Sequence, residues 1–250
     1  MLIDEINIFL HHGYQAIPDI RKAVLPEIFR GRPVIEKLEP EEITVLSALC
    51  PLKAIDARTG NLDLGRCCFC KECEFASGGK IRFTNDHRIA VSRREDLLIK
   101  PGEERKLFVD RMAIRKEVSR IFRRALKLRQ VSAAGDNSVE MELNASGNVN
   151  FDMGRFGIEF VASPRHADGI VITGPISENM AAALELTYYA VPEPRLVIVA
   201  GTDAISGGIF AGSPALNRSF FEKHHVDLYL PGNPAHPLTI INGLLDYTGR

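Results

Sequence analysis

This chain has no tryptophan, no cysteine beyond Cys73 and no excess of charge, with 31 Lys and Arg against 32 Asp and Glu. A net charge of −1 and the missing indole leave no nucleic-acid signature. No apolar run reaches the ~18 residues that a spanning helix requires, so the chain is expected to be soluble or peripheral. Neither G-x-G-x-x-G nor a P-loop occurs. The Gly-rich GTDAISGG at 201–208 therefore reads as a tight turn after a strand. No G-x-S-x-G elbow supports a hydrolase pair of Ser206 and His166. An odd cysteine count without a signal-peptide pattern fits a reducing compartment rather than a disulfide framework.

What is present is concentrated in GRCCFCKECEFAS, residues 65–77. Cys67, Cys70 and Cys73 form C-x-x-C-x-x-C, and Cys50 stands remote, before Pro51. Three thiolates at this pitch on one tight loop, completed by a distant Cys-Pro, are the ligand pattern of a cubane iron–sulfur cluster. A four-cysteine zinc site also uses C-x-x-C; the strict pitch and the remote Cys-Pro favour iron–sulfur. The expected set is Cys50, Cys67, Cys70 and Cys73 around one 4Fe–4S cluster, and Cys68 is read as a small buried hydrophobe beside it.

The segment from about Gly31 to Leu98 (RGRPVIE, CPLKAI, LDLGRCCFCKEC, IRFTND) resembles a 2×4Fe–4S ferredoxin domain with one half erased. The ferredoxin pitch puts Pro40, Ile43, Leu46 and Ser77 where the other cluster's cysteines would stand. Ile43 and Leu46 are apolar and suited to fill vacated volume, since a cavity is costly.

The expected organisation is a 1–30 N-terminal arm, a 31–100 ferredoxin-like domain, a 101–125 basic helical linker and a 126–250 α/β domain. The arm carries Ile6, Phe9 and Leu10, then Ile20, Val24, Leu25, Ile28 and Phe29, interrupted by Gly13 and Pro18, and reads as one or two helices. It would lie on a membrane surface or on a partner subunit; His11 and His12 read as a solvated pair. The small domain has little apolar core, so a cluster would supply much of its stability. The stretch from Glu103 to Arg129 is basic (Arg105, Lys106, Arg111, Arg115, Lys116, Arg120, Arg123, Arg124, Lys127, Arg129), diluted by Glu103, Glu104, Asp110 and Glu117. It reads either as a surface for a partner or anionic headgroups or as a solvated helix face.

From Leu126 the pattern alternates. LKLRQVSA, GIEFVAS, GIVITG, RLVIVAG and VDLYLPG are strand candidates, several of them near-continuous apolar runs of the kind buried on both faces of a parallel sheet. The stretch 177–190, with Ser177 as N-cap and Met180, Leu184 and Leu186 as apolar positions, reads as a helix, as does 236–247. The fold class is α/β: a small ferredoxin-like α+β domain, then a flavodoxin-like domain with an open, mostly parallel sheet and helices on both faces.

SPRHAD, PEPR and PG-x-P occur in order within GRFGIEFVASPRHADGIVITGPISENM, VPEPRLVIVAGTDAISGGIF and VDLYLPGNPAHPLTIINGLL. This resembles the 20 kDa cluster-bearing subunit of respiratory complex I and the small subunit of membrane-bound energy-converting NiFe hydrogenases, over about Arg123 to Tyr247. The resemblance implies a cluster held by four cysteines, at positions occupied here by Asp136, Val139, Asp203 and Asn233. All four are lost, so no second cluster is expected. These positions follow strands, where open α/β sheets bind ligands, and should converge on one crevice. Asp136, Asp203 and Asn233 offer oxygens to a hard cation such as Mg²⁺; the reading adopted is a polar crevice, hydrated or Arg-paired. Glu140 and Glu142 are read as solvent-facing carboxylates rather than a proton relay.

The resemblance implies an iron–sulfur electron-transfer subunit of a membrane-associated, complex-I-like or hydrogenase-related oxidoreductase assembly, itself non-catalytic. Its partners would be a large catalytic-type subunit, membrane subunits and an electron-donor protein, with no nucleic acid. Its location would be cytoplasmic, peripheral on the inner face of the cell membrane. The alternative is a structural or regulatory subunit with no electron relay of its own.

Overall fold

A computed structural model describes residues 2–12, 15–110, 112, 114, 116–122 and 124–250. Gly13, Arg111, Arg115 and Arg123, and the side chains of His12, Lys116 and Glu117, lie outside the described residues. Helix α1 (Leu2–His12) carries Asp4 and Glu5 in its first turn and Leu2, Ile3, Ile6, Phe9 and Leu10 at helical spacing, and each of these apolar side chains is exposed. The rest of the arm, 15–30, is irregular. It drops Ile20 into the core, where the Asn242 amide donates to the Ile20 carbonyl at 3.2 Å, and leaves Val24 and Ile28 in solvent.

Strand β1 (Pro33–Ile35) leads to helix α2 (Pro40–Leu49). Glu39 and Glu42 form a capping box at its start, with Pro40 in the first turn where its missing N–H costs nothing. Strand β2 (Leu62–Asp63), helix α3 (Glu72–Ala76), strand β3 (Ile81–Phe83) and strand β4 (Leu98–Ile99) follow. β1 pairs antiparallel with β3 and β2 with β4, and Ile55 bridges Leu62. LDLG and IRFT thus form short strands, as their sequence suggests.

The basic stretch differs from the expected helix. Leu107 and Val109 are buried while Phe108 between them is exposed, a period of two that marks extended chain. Arg105 pairs with Asp96, and Arg93 with Asp110 at 2.9 Å, which ties this segment along the 92–97 turn. Only α4 (Lys116–Ile121) is α-helical within the described part, seating Val118 in the core.

Beyond it come β5 (Leu126–Val131), α5 (Ser138–Ser146), β6 (Ile158–Phe160), β7 (Gly169–Ile172), α6 (Glu178–Ala190), β8 (Leu196–Ala200), α7 (Thr202–Ser206), α8 (Phe220–Lys223), β9 (Leu228–Leu230) and α9 (Pro237–Thr248). The strands form one parallel sheet in the order β6-β5-β7-β8-β9. Counted along the chain this is 2-1-3-4-5, the flavodoxin-like doubly wound order. β7 and β8 are buried at every residue, as covered parallel strands must be. Ser177 has the extended backbone of an N-cap, yet its hydroxyl caps nothing, and Leu186 is 73% exposed while Leu184 is fully buried.

The two sheet faces bury different partners. Leu128, Val171 and Ile198 pack with Leu143 of α5 and with α9. Ile170, Ile172 and Val199 pack with Leu184 of α6 and with Ile35, Leu46, Leu64, Cys67 and Phe69. The small N-terminal unit therefore does not depend on a core of its own. Its interior is continuous with one face of the sheet, because it has too few apolar residues to close a core alone.

Candidate metal centre and the crevice beside it

The cysteine loop is launched from Asp63. The Asp63 carboxylate accepts Gly65 N–H at 2.8 Å, and its carbonyl accepts the N–H groups of Arg66 and Cys67, both at 3.0 Å. Phe69 and Lys71 then adopt left-handed backbone, φ 55° and 72°. Bulky residues rarely hold that conformation, and strain of this kind clusters at ligand clamps. It winds the chain so that Cys67, Cys68, Cys70 and Cys73 share one side. Cys50, at the end of α2, meets them there, and all five line a small cavity of about 20 Å³ with Pro51, Leu62 and Phe83.

Two sulfurs carry peptide donors: Phe69 N–H to Cys67 Sγ at 3.3 Å and Ala54 N–H to Cys50 Sγ at 3.2 Å. Such bonds orient a ligand sulfur and stabilise its anion. Burial pushes the thiols up, Cys67 well above the ordinary range and Cys73 to about 12, each raised further by neighbouring cysteines. Cys68 is half-buried and is pushed up to about 11, first by burial and then by Cys70. Thiols in this state give up protons only to a competing cation. Among the described residues no three Cys, His, Asp or Glu side chains are gathered into a metal cage. The donor set is nonetheless of the right chemistry for iron–sulfur: four thiols facing one cavity, with peptide N–H groups on two of them.

Leu46 is 2% exposed and Ile43 is buried. Leu46 and Ser77 border a surface pocket of about 280 Å³ with Glu41, Glu42, Val45 and Ala76.

The crevice at the carboxyl ends of the strands gathers the four positions only in part. Gly201 has φ +89°, and a Cβ there would stand 2.5 Å from Val139 Cγ2, so Val139 presses directly on the loop after β8. Thr202 N–H donates to the Gly232 carbonyl at 2.9 Å, joining that loop to the one after β9. The Asp203 carboxyl is raised by burial and then by the charge of Asp136. Asp136 itself is lowered by the Ser138 hydroxyl and N–H, at 2.6 and 2.9 Å. Asn233 is exposed and lines a separate pocket of about 280 Å³ whose wall includes Arg30, Cys68, Phe69 and His236.

Glu140 corrects the sequence reading. It is 3% exposed, its Oε1 accepts the Thr173 hydroxyl at 2.6 Å, and its Oε2 finds no partner among the described residues. Thr173, the residue after β7, reaches it from 33 positions along the chain, and no local pattern signals that. Glu142 is half-buried and its carboxyl is raised by that burial. Ser206 donates to the Thr202 carbonyl at 3.0 Å, whereas His166 is exposed in the separate 164–166 turn, so they form no catalytic pair. Sequence reasoning missed Thr202, whose buried hydroxyl donates to the Cys67 carbonyl at 2.8 Å. Its chain neighbour Asp203 is marked by the family pattern, but only the fold brings Thr202 to the cysteine loop.

No helix among the described residues is long and apolar enough to cross a membrane. The family model described as NADH ubiquinone oxidoreductase, 20 Kd subunit, matches residues 137–247. The "Probable membrane-bound hydrogenase subunit" of Pyrococcus furiosus is 33% identical over 115 residues, covering 46% of this chain and 69% of that one. An NADH-quinone oxidoreductase subunit of Desulfovibrio desulfuricans is 41% identical over 105 residues, covering 42% of this chain and 57% of that one, less than two thirds of its length. A chain in the structure of the membrane-bound sulfane sulfur reductase, an archaeal respiratory membrane complex, is 24% identical with a TM-score of 0.46, covering 52% of this chain and 72% of that chain.

Proposed function

Because this chain belongs to the family of the 20 Kd subunit of NADH ubiquinone oxidoreductase, we propose that it is a non-catalytic iron–sulfur subunit. Its assembly is a membrane-associated, complex-I-like or hydrogenase-related oxidoreductase. Cys50, Cys67, Cys70 and Cys73 would hold one 4Fe–4S cluster in a ferredoxin-like N-terminal unit. Such a group stores and passes single electrons when bound. The chain's own contribution is to bury the thiols, turn them to one side through Phe69 and Lys71, and supply peptide N–H groups to Cys50 and Cys67. The α/β unit carries no cluster in this reading, since Val139 has no donor atom and presses into the crevice. Its partners are a large catalytic-type subunit, membrane subunits and an electron donor.

The observation that carries the reading is the shared cavity of the four predicted cysteines. Anaerobic expression, iron and sulfide analysis and EPR of the dithionite-reduced chain test it. About four irons per chain, with a signal lost in Cys70→Ala, is the expected result. No iron, or stoichiometric zinc, overturns it and leaves a structural or regulatory subunit, a role that the core shared between the two units also serves.

A further inference from the structure

The cysteine loop does not stand free of the α/β unit. Thr202, fully buried as the first residue of α7, places its hydroxyl 2.8 Å from the Cys67 carbonyl and 3.1 Å from that of Gly232. One proton serves one acceptor, and the shorter contact is to Cys67. Gly65, which opens the cysteine loop, lies so close to α7 that a Cβ would meet Ile205 Cγ2 at 2.7 Å. On the other side the Phe69 carbonyl accepts Arg30 Nη1 at 2.7 Å, and Phe69 lines the Asn233 pocket. Cys68 borders both that pocket and the cysteine cavity. The loop is thus seated on the carboxyl ends of the strands, the edge where this sheet architecture places its functional groups.

We propose that the start of α7 positions the four-cysteine site: Thr202 is a positioning residue that fixes the Cys67 peptide and sets the electrostatics around the metal the cysteines hold. The same helix carries Asp203, which supplies no thiolate, so the contribution of α7 to metal chemistry is made through Cys67 rather than by ligation. This role for Thr202 rests on the reading that these cysteines hold iron. The Thr202 O–H dipole points its positive end at the Cys67 peptide. It therefore favours the more negative, reduced form of the site. Without it the site is harder to reduce. Beside this contact, Cys68 and Asn233 line one pocket, which brings the loop after β9 to the cysteine site.

The test uses the full chain, loaded anaerobically. Thr202→Val is expected to keep its iron, to move the midpoint potential in the negative direction and to change the EPR line shape. Thr202→Ser restores both. An iron-loaded Thr202→Val with the parent's potential and line shape overturns the inference alone. An iron-free parent overturns the metal reading and this inference with it. A second measurement covers the case in which Thr202→Val fails to fold. In a Cys68→Ser background, a nitroxide is placed at Asn233→Cys or, past the far end of α5, at Val149→Cys. The reduced metal is expected to speed relaxation of the label at 233 more than at 149; equal rates overturn the seating.

Discussion

Arg94 grips Asp63 with two parallel bonds, Nη1 to Oδ1 at 2.8 Å and Nη2 to Oδ2 at 2.6 Å. Asp63 is the residue from which the cysteine loop departs, so this fork sets the loop's first turn. Both side chains are more than half buried. Arg94→Ala leaves a buried carboxylate without its cation and is expected to cost about 2 kcal/mol. Urea denaturation reads the cost directly, and Arg94→Lys, which cannot make the fork, recovers only part of it.

His236 predicts an acid-side weakness. Its Nδ1 accepts the Leu238 N–H at the start of α9, between the rings of Phe29 and Phe151. Burial, with a smaller contribution from His87, lowers its pKa from 6.5 to about 4. Between those values the unfolded chain takes up a proton that the folded chain refuses, so stability falls as pH drops through this window. His87 is also lowered by burial and adds to the trend. Thermal melts at pH 7, 6, 5 and 4 should show the loss. His236→Asn, which caps without titrating, should flatten it.

The thiols predict a reactivity order. With Cys73 pushed to about 12 and Cys68 to about 11, these two side chains hold little thiolate at neutral pH in the metal-free loop. Iodoacetamide should modify Cys73 and Cys68 more slowly than a free cysteine, with rates that climb steeply with pH. Metal loading should release protons to an unbuffered solution. Mass-spectrometric mapping and a pH-stat check each statement.

Helix α1 predicts indifference. Its apolar side chains are exposed, so removing residues 1–12 should change the melting temperature of the isolated chain by no more than its error. If the arm covers a partner subunit or a lipid surface, the same truncation weakens co-purification with the assembly.

Much of this fold is written locally. LKLRQVSA, GIEFVAS, GIVITG, RLVIVAG and VDLYLPG each contain a strand of one parallel sheet, since a strand buried on both faces must be apolar at nearly every position. The cysteine pitch and the remote Cys-Pro pick out side chains that do share a cavity. What the sequence hides is non-local. The 103–109 stretch carries helix-compatible residues, but Leu107 and Val109 alternate into the core and Arg105 finds Asp96. Glu140 has the local pattern of a solvated carboxylate, and Thr173, the residue after β7, reaches it from 33 positions along the chain. Leu186 fits a helical stripe yet lies beyond the face that Leu184 buries. Thr202 has no motif to mark it, because its partner is 135 residues away.

One face of the sheet and the cysteine unit share a single interior, running from Ile35 and Leu64 through Phe69 to Ile172 and Val199. The other face takes in Ile20, Ala90 and Val109 from the N-terminal half. A seam that is hydrophobic on both sides binds the two halves into one folding unit. Neither half can be cut away without exposing an oily surface of the other to water. Loss of one half would be felt as aggregation of the other.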